Sequence, residues 1–172
     1  MGANVGPRDC HITGRRVSIE MRAGVSFFGH LGLEMDPREL SEHEMQEISD
    51  IIGLHKKHRA LIHSGDLVRL DTDGNSIDFG IVNSNKSHAL YAYNSVTETK
   101  RTVPKKYRFT GLDAAKTYQF NKIWPTSLKE YSPSILAKIE GQKISGQALI
   151  QVGMQLPISF PQTTLIFELK EV

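Results

Sequence analysis

The sequence predicts a mainly β protein, with a short α/β piece followed by an antiparallel β-sandwich. Three observations predict it. A strongly capped helical pattern occupies about residues 42–62. The texture changes at Gly65. Beyond that point come short alternating apolar runs separated by turn residues, the pattern of strands in a sandwich.

Taken in order, residues 1–16 are rich in Gly, Pro, Asn, Asp and Arg and read as a loop. Gly24-Val25-Ser26-Phe27-Phe28-Gly29 is an apolar run without alternation, and it reads as a strand covered on both faces, as in a parallel sheet. Ser41-Glu42-His43-Glu44 is a capping box, with Leu40 placed as a hydrophobic staple. Met45, Ile48, Ile51, Ile52 and His55 then recur at helical spacing. Lys56, Lys57, His58 and Arg59 fall in the last turns, where cations suit the helix dipole. The helix ends near Ser64-Gly65. Strands are expected at Leu67–Leu70, Ile77–Asn83, Ala89–Val96, Tyr107–Phe109, Thr117–Trp124 and Leu165–Leu169, and one helical turn at Ser145–Ile150. A lone βα unit cannot bury its own faces. The expectation is therefore the tail end of a larger protein whose remaining α/β elements lie upstream.

Composition narrows the partners. The 172 residues carry a formal net charge of +2. That is too small to attract nucleic acid or an acidic membrane, so neither is expected. Cys10 is the single cysteine, which rules out an internal disulfide and fits a reducing, cytoplasmic compartment. The N-terminus lacks a signal-peptide pattern, and no apolar run approaches the roughly 18 residues of a membrane span.

Candidate chemistry is sparse. In an extended segment Glu34 and Asp36 would share a face about 7 Å apart, within reach of glycosidase geometry. The plainer reading is that they cap or salt-bridge the loop before the helix. His55, His58 and His63 are near one another. Without a carboxylate or cysteine at ligand spacing they read as a helix end, His55 facing the core and His58 facing water. Asp71-x-Asp73-Gly74-Asn75 has its glycine in the wrong place for an EF-hand and reads as a hairpin turn. Lys100-Arg101 and Lys105-Lys106, with Tyr91, Tyr93 and Tyr107, read as a solvated sheet face rather than a nucleic-acid platform. Cys10-His11 reads as loop. No complete active site emerges, so no catalytic residue, metal or cofactor is expected in the segment.

An ordered set of motifs resembles the bacterial α-galactosidases of glycoside hydrolase family 36. It comprises Met1-Gly2-Ala3-Asn4-Val5, Thr13-Gly14-Arg15, Arg22-Ala23, Phe28-Gly29-His30-Leu31-Gly32-Leu33-Glu34-Met35-Asp36 and Leu40-Ser41-x-x-Glu44. Lys56-x-x-Arg59 with Gly65-x-x-x-Arg69-Leu70, Arg108-Phe109-Thr110-Gly111-Leu112-Asp113 with Tyr118, and Ser145-Gly146-x-x-Leu149-x-x-x-Gly153-x-x-Leu156-Pro157 continue it. The resemblance implies that residues 1–61 are the loop after the seventh strand, the eighth strand and the eighth helix of a (β/α)8 barrel. Residues 62–172 would be the C-terminal antiparallel β domain. It implies a parent enzyme that hydrolyses terminal α-galactosides with retention, using two aspartates. Those aspartates lie on the fourth and sixth barrel strands and match no residue here, so the segment alone is expected to be inactive. The resemblance also implies sugar contacts from barrel-top loops at Asn4 and His30; the family often has His where this chain has Asn4. The implied partner is an α-galactoside substrate, and a homo-oligomer is implied for the full-length form. A raffinose-synthase-like transglycosidase, or a non-catalytic structural, oligomerisation or carbohydrate-contact module, remains the alternative.

Overall fold

The structure, a computed structural model, describes residues 2–70, 74–98, 105–126 and 136–172. Its N-terminal part is β1 (Gly2–Val5), α1 (Ile19–Ser26), β2 (His30–Leu33), a 3-10 turn (Pro37–Glu39) and α2 (Glu42–Ser64). β1 and β2 pair in parallel, with Gly2 opposite His30 and Val5 opposite Leu33.

The expected βα unit is thus present as β2 and α2, and another strand and helix precede it. The strand expected at 24–29 is displaced, because that run is the end of α1. The helix begins upstream of the apolar run, at Ser18, whose Oγ accepts the Met21 N–H at 3.3 Å. Ile19, Ala23 and Phe27 recur every four residues and are all buried. A short apolar run fits either period, and here the cap before it decides. Eight residues are too few for a stable isolated helix. What holds α1 is its docking.

α2 carries the capping box that the sequence predicts: Ser41 Oγ accepts from the Glu44 N–H and Glu44 Oε2 accepts from the Ser41 N–H, at 3.2 and 3.1 Å. Its buried face differs from the expected one. Met45 is exposed, whereas Glu47, Ile48, Ile51, His58, Leu61 and Ile62 are buried. The inward stripe therefore runs on to His58, which faces the core rather than water.

The β region comprises β3 (Asp66–Arg69), β4 (Ser76–Val82), β5 (His88–Ser95), β6 (Lys106–Tyr107), β7 (Thr117–Trp124), α3 (Leu136–Ile139), β8 (Lys143–Ser145), α4 (Gly146–Gln151), β9 (Met154–Gln155) and β10 (Thr163–Glu171). Six strands form one antiparallel sheet in the order β3-β4-β5-β10-β7-β8. The facing layer is thin: the β6-β9 ribbon with α3 and α4. Its two strands have two residues each, and Gly111 and Gly153, at φ +93° and +67°, bend the chain near them.

β10 divides two cores. Leu165, Phe167 and Leu169 point to the ribbon side, where Phe167 joins Tyr107, Phe109 and Phe120 in edge-on and tilted ring contacts. Ile166 points the other way, with Leu90, Ile81 and Trp124, against α1 and α2. The Trp124 Nε1–H donates to the Glu20 carbonyl at 2.8 Å, fixing α1 to the sheet. Tyr91 and Tyr107 are buried, and their hydroxyls donate to the Thr110 and Ala92 carbonyls at 2.7 and 2.8 Å. Those rings are core, not a solvated sheet face. Among the described residues no helix is long and apolar enough to cross a membrane.

Two helical glycines separate packing from propensity. A Cβ at Gly24 would meet Thr164 Cγ2 at 2.5 Å and Trp124 Nε1 at 2.9 Å, whereas one at the exposed Gly53 of α2 would meet nothing within 4 Å. Gly24→Ala is expected to lower stability by about 1–3 kcal/mol through overpacking. Gly53→Ala should raise it by about 0.5–1 kcal/mol through helix propensity. Urea melts of the two variants check the opposite signs; equal shifts would refute the docking of α1 through Gly24.

Candidate functional site

Open parallel sheets and barrels bind ligands beyond the C-terminal ends of their strands. In the β1–β2 pair that end holds Asn4, Val5, Leu33 and Glu34. Val5 is buried against the helices, so alternation turns Asn4 to the opposite, exposed face. Asn4 Nδ2 donates to Glu34 Oε2 at 3.1 Å. Its own carbonyl accepts from Ser26 Oγ at 3.1 Å, which ties the strand to α1. Gly32 stands opposite Asn4 in the register, and a Cβ there would collide with Asn4 Oδ1. The amide is thus clamped in one orientation, with Oδ1 turned away from its Glu34 partner.

The loops leaving β1 and β2 are held together by Arg22. Its guanidinium donates to the Gly6 carbonyl and, through Nε, to the Val17 carbonyl at 3.1 Å. It lies 3.5 Å from Glu44 of α2. Burial pushes the Arg22 pKa down, opposed by the Glu44 carboxylate. Between these loops lies a cleft of about 370 Å3 lined by Pro7, Arg8, Asp9, Met35, Asp36 and Leu40, among others.

The two carboxylates of Glu34-x-Asp36 have separate tasks. Glu34 orients Asn4. Asp36 caps the 3-10 turn, accepting the Arg38 N–H at 2.9 Å, and pairs with the Arg38 guanidinium at 2.6 Å, which holds its carboxyl below the usual range. The capping reading of Asp36 therefore stands.

His30 lies elsewhere. It opens β2, at the strand's N-terminal end, and stacks on His63 with ring centroids 4.4 Å apart. Asn4 and His30 are strand residues at opposite ends of the pair, not neighbours on loops at one end. His55 Nε2 makes a 3.0 Å contact with the Gly29 carbonyl beside the same group. Desolvation, then His30 and His55, push the His63 pKa down. Cys10 is a half-buried free thiol. Asp71, Asp73, Lys100 and Arg101 lie outside the described residues. The role of Arg22 as a loop clamp is one that spacing does not reveal, because its partners, the Gly6 and Val17 carbonyls and the Glu44 carboxylate, are brought together only by the fold.

Comparison with known proteins agrees with this geometry. Residues 1–65 match the Melibiase family model, and residues 78–165 match the glycosyl hydrolase family 36 C-terminal domain. An alpha-galactosidase of Escherichia coli is 33% identical over 178 residues, covering 99% of this chain and 25% of that protein. Alpha-galactosidase AgaA of Geobacillus stearothermophilus is 31% identical over 121 residues, covering 69% of this chain and 17% of that protein. The crystal structure of a variant of that enzyme in complex with raffinose superposes with a TM-score of 0.82 at 28% identity, covering 100% of this chain and 22% of that one. Another variant, in complex with stachyose, gives 0.82 at 27% identity, with the same coverage of both chains. The chain thus spans at most about a quarter of the length of these relatives. With a family model over half its residues, this chain belongs to glycoside hydrolase family 36.

Proposed function

We propose that this chain supplies the closing βα elements of a (β/α)8 barrel and the C-terminal β domain of an α-galactosidase. That enzyme is a retaining glycoside hydrolase releasing terminal α-galactose from galactosides such as melibiose and raffinose. The observation that carries the reading is the clamped Asn4 amide on the exposed face at the C-terminal end of two parallel strands. A planar amide offers a carbonyl acceptor and an N–H donor side by side, which suits adjacent sugar hydroxyls. Glu34 and Gly32 fix its direction, and Ser26 holds the strand that carries it, before substrate arrives, lowering the cost of ordering it.

In this reading the aspartates that form and break the glycosyl-enzyme bond belong to other strands, and no residue of the chain replaces them. Asn4 contributes binding and orientation. The β domain contributes a rigid backing for α1 and α2, which in turn hold the two strands. Support for the substrate class comes from the raffinose and stachyose bound to the Geobacillus enzyme variants.

Two measurements test it. The chain alone is expected to give no turnover of 4-nitrophenyl α-galactoside, and clear turnover would place the chemistry on its own residues. Grafted in place of the matching segment of the Geobacillus enzyme, it should restore raffinose hydrolysis. In that graft Asn4→Ala should lower kcat/KM about tenfold, the loss of roughly one hydrogen bond. Gly32→Ala should do much the same by displacing an intact Asn4. An unchanged kcat/KM in both variants would remove Asn4 from the site.

A further inference from the structure

A second cluster lies at the other side of α1 and α2, where they meet the sheet. Glu168 sits in mid-β10 within the apolar run Thr164-Leu165-Ile166-Phe167-Glu168-Leu169, and it is buried. His88 opens β5, beside it in the sheet, and His58 comes down from α2. His88 Nε2 is 2.8 Å from Glu168 Oε1, and His58 Nδ1 is 3.8 Å from the same oxygen. His58 is 2% exposed, and neither of its ring nitrogens has a hydrogen-bond partner. A buried imidazole with nothing on either nitrogen forfeits the interactions that normally offset its burial.

We propose that His58, His88 and Glu168 form a three-ligand site for a divalent transition metal, zinc above all, seated between α2 and the sheet. One nitrogen from each histidine and one carboxylate oxygen already lie within 4.8 Å of one another. Ligands on a tetrahedral zinc sit about 3.4 Å apart, given bonds of about 2.0–2.2 Å. Two imidazoles and a carboxylate are a donor set that zinc takes, with water in the fourth position. That water has a route in past His88, the half-buried member of the three. The protonation states suit the role. Burial drives His58 down to about 4, leaving a neutral ring at pH 7, and Glu168 is held ionised, down to about 2, chiefly by its His88 hydrogen bond.

The competing explanation is a plain ion pair with Lys57, whose Nζ lies 3.6 Å from Glu168 Oε2. Lys57 is mostly exposed, so its ammonium swings into water at little cost, and it does nothing for the His58 nitrogens. A metal engages all three groups. It would pin α2 to two strands of the sheet that are 30 and 110 residues further along the chain.

Cobalt(II) reports such a site by visible absorption of tetrahedral intensity. The full chain is expected to bind one Co2+ with that spectrum, to release it to Zn2+, and to melt at a higher temperature with Zn2+ bound. Glu168→Gln and His88→Gln, checked for folding by far-UV circular dichroism, should weaken binding by more than about 100-fold, beyond the usual effect of losing an outer partner. Lys57→Ala should keep the site. The double variant His30→Gln, His63→Gln should keep it too, since that stacked pair of rings lies outside the cluster. No tetrahedral spectrum in the folded chain, retention of metal by Glu168→Gln, or loss of it in the His30/His63 variant would overturn the proposal.

Discussion

The structure depends on one strand with two buried faces. β10 is the last element in sequence, yet it lies at the centre of the sheet, bonded to β5 on one side and β7 on the other. Its odd-numbered residues complete the core under the β6-β9 ribbon; its even-numbered ones complete the core under α1 and α2. Neither core closes without it. Its pairings are all long-range in sequence, so the sheet forms by contacts whose loop-closure cost precedes their reward. Glu168 is the one buried charged side chain in this strand. A buried carboxylate is tolerated only with partners, and those partners come from α2 and β5, which makes this position the polar junction of three elements.

Much of the fold was legible in the sequence because local chemistry and tertiary packing agree there. The Ser41–Glu44 box starts α2 at the expected place, and Thr117–Trp124 is a strand with the expected bounds. Legibility failed where the two disagree. Residues 24–29 have the composition of a buried strand, but Ser18 and the Ile19-Ala23-Phe27 spacing carry the chain into a helix first. β1 hides in a glycine-rich stretch that reads as loop, since a four-residue strand backed by one neighbour needs little local propensity. β8 and β9, at three and two residues, leave no periodicity to detect.

The candidate site was legible only in part, for a related reason. Asn4 and Glu34 are 30 residues apart, and only the parallel register joins them. Resemblance to a family pointed to Asn4; no spacing rule points to Glu34 as its partner. His30 and Asn4 shared a resemblance but not an end of the strand pair. His58 read as a surface cation because its neighbours Lys56, Lys57 and Arg59 are charged. The helix phase turns one residue of that group inward, and its carboxylate partner arrives from 110 residues downstream.

These contacts give the β domain a defined mechanical part. The Asn4 carbonyl is held by Ser26, on the last turn of α1. Two residues earlier Gly24 lies against Thr164 and Trp124, with no room for a methyl group. Thr164 is in β10 and in turn donates to Asn94 Oδ1 of β5 at 2.9 Å. A short series of close contacts therefore runs from the sheet's central strands through α1 to the amide on the exposed face. Each step is between backbone or short side chains, which have few alternative rotamers to absorb a shift. A displacement of β10 would be passed to Asn4 rather than dissipated. An orienting residue needs rigid support behind it, and in this chain the central strands of the β domain stand behind Asn4 through α1.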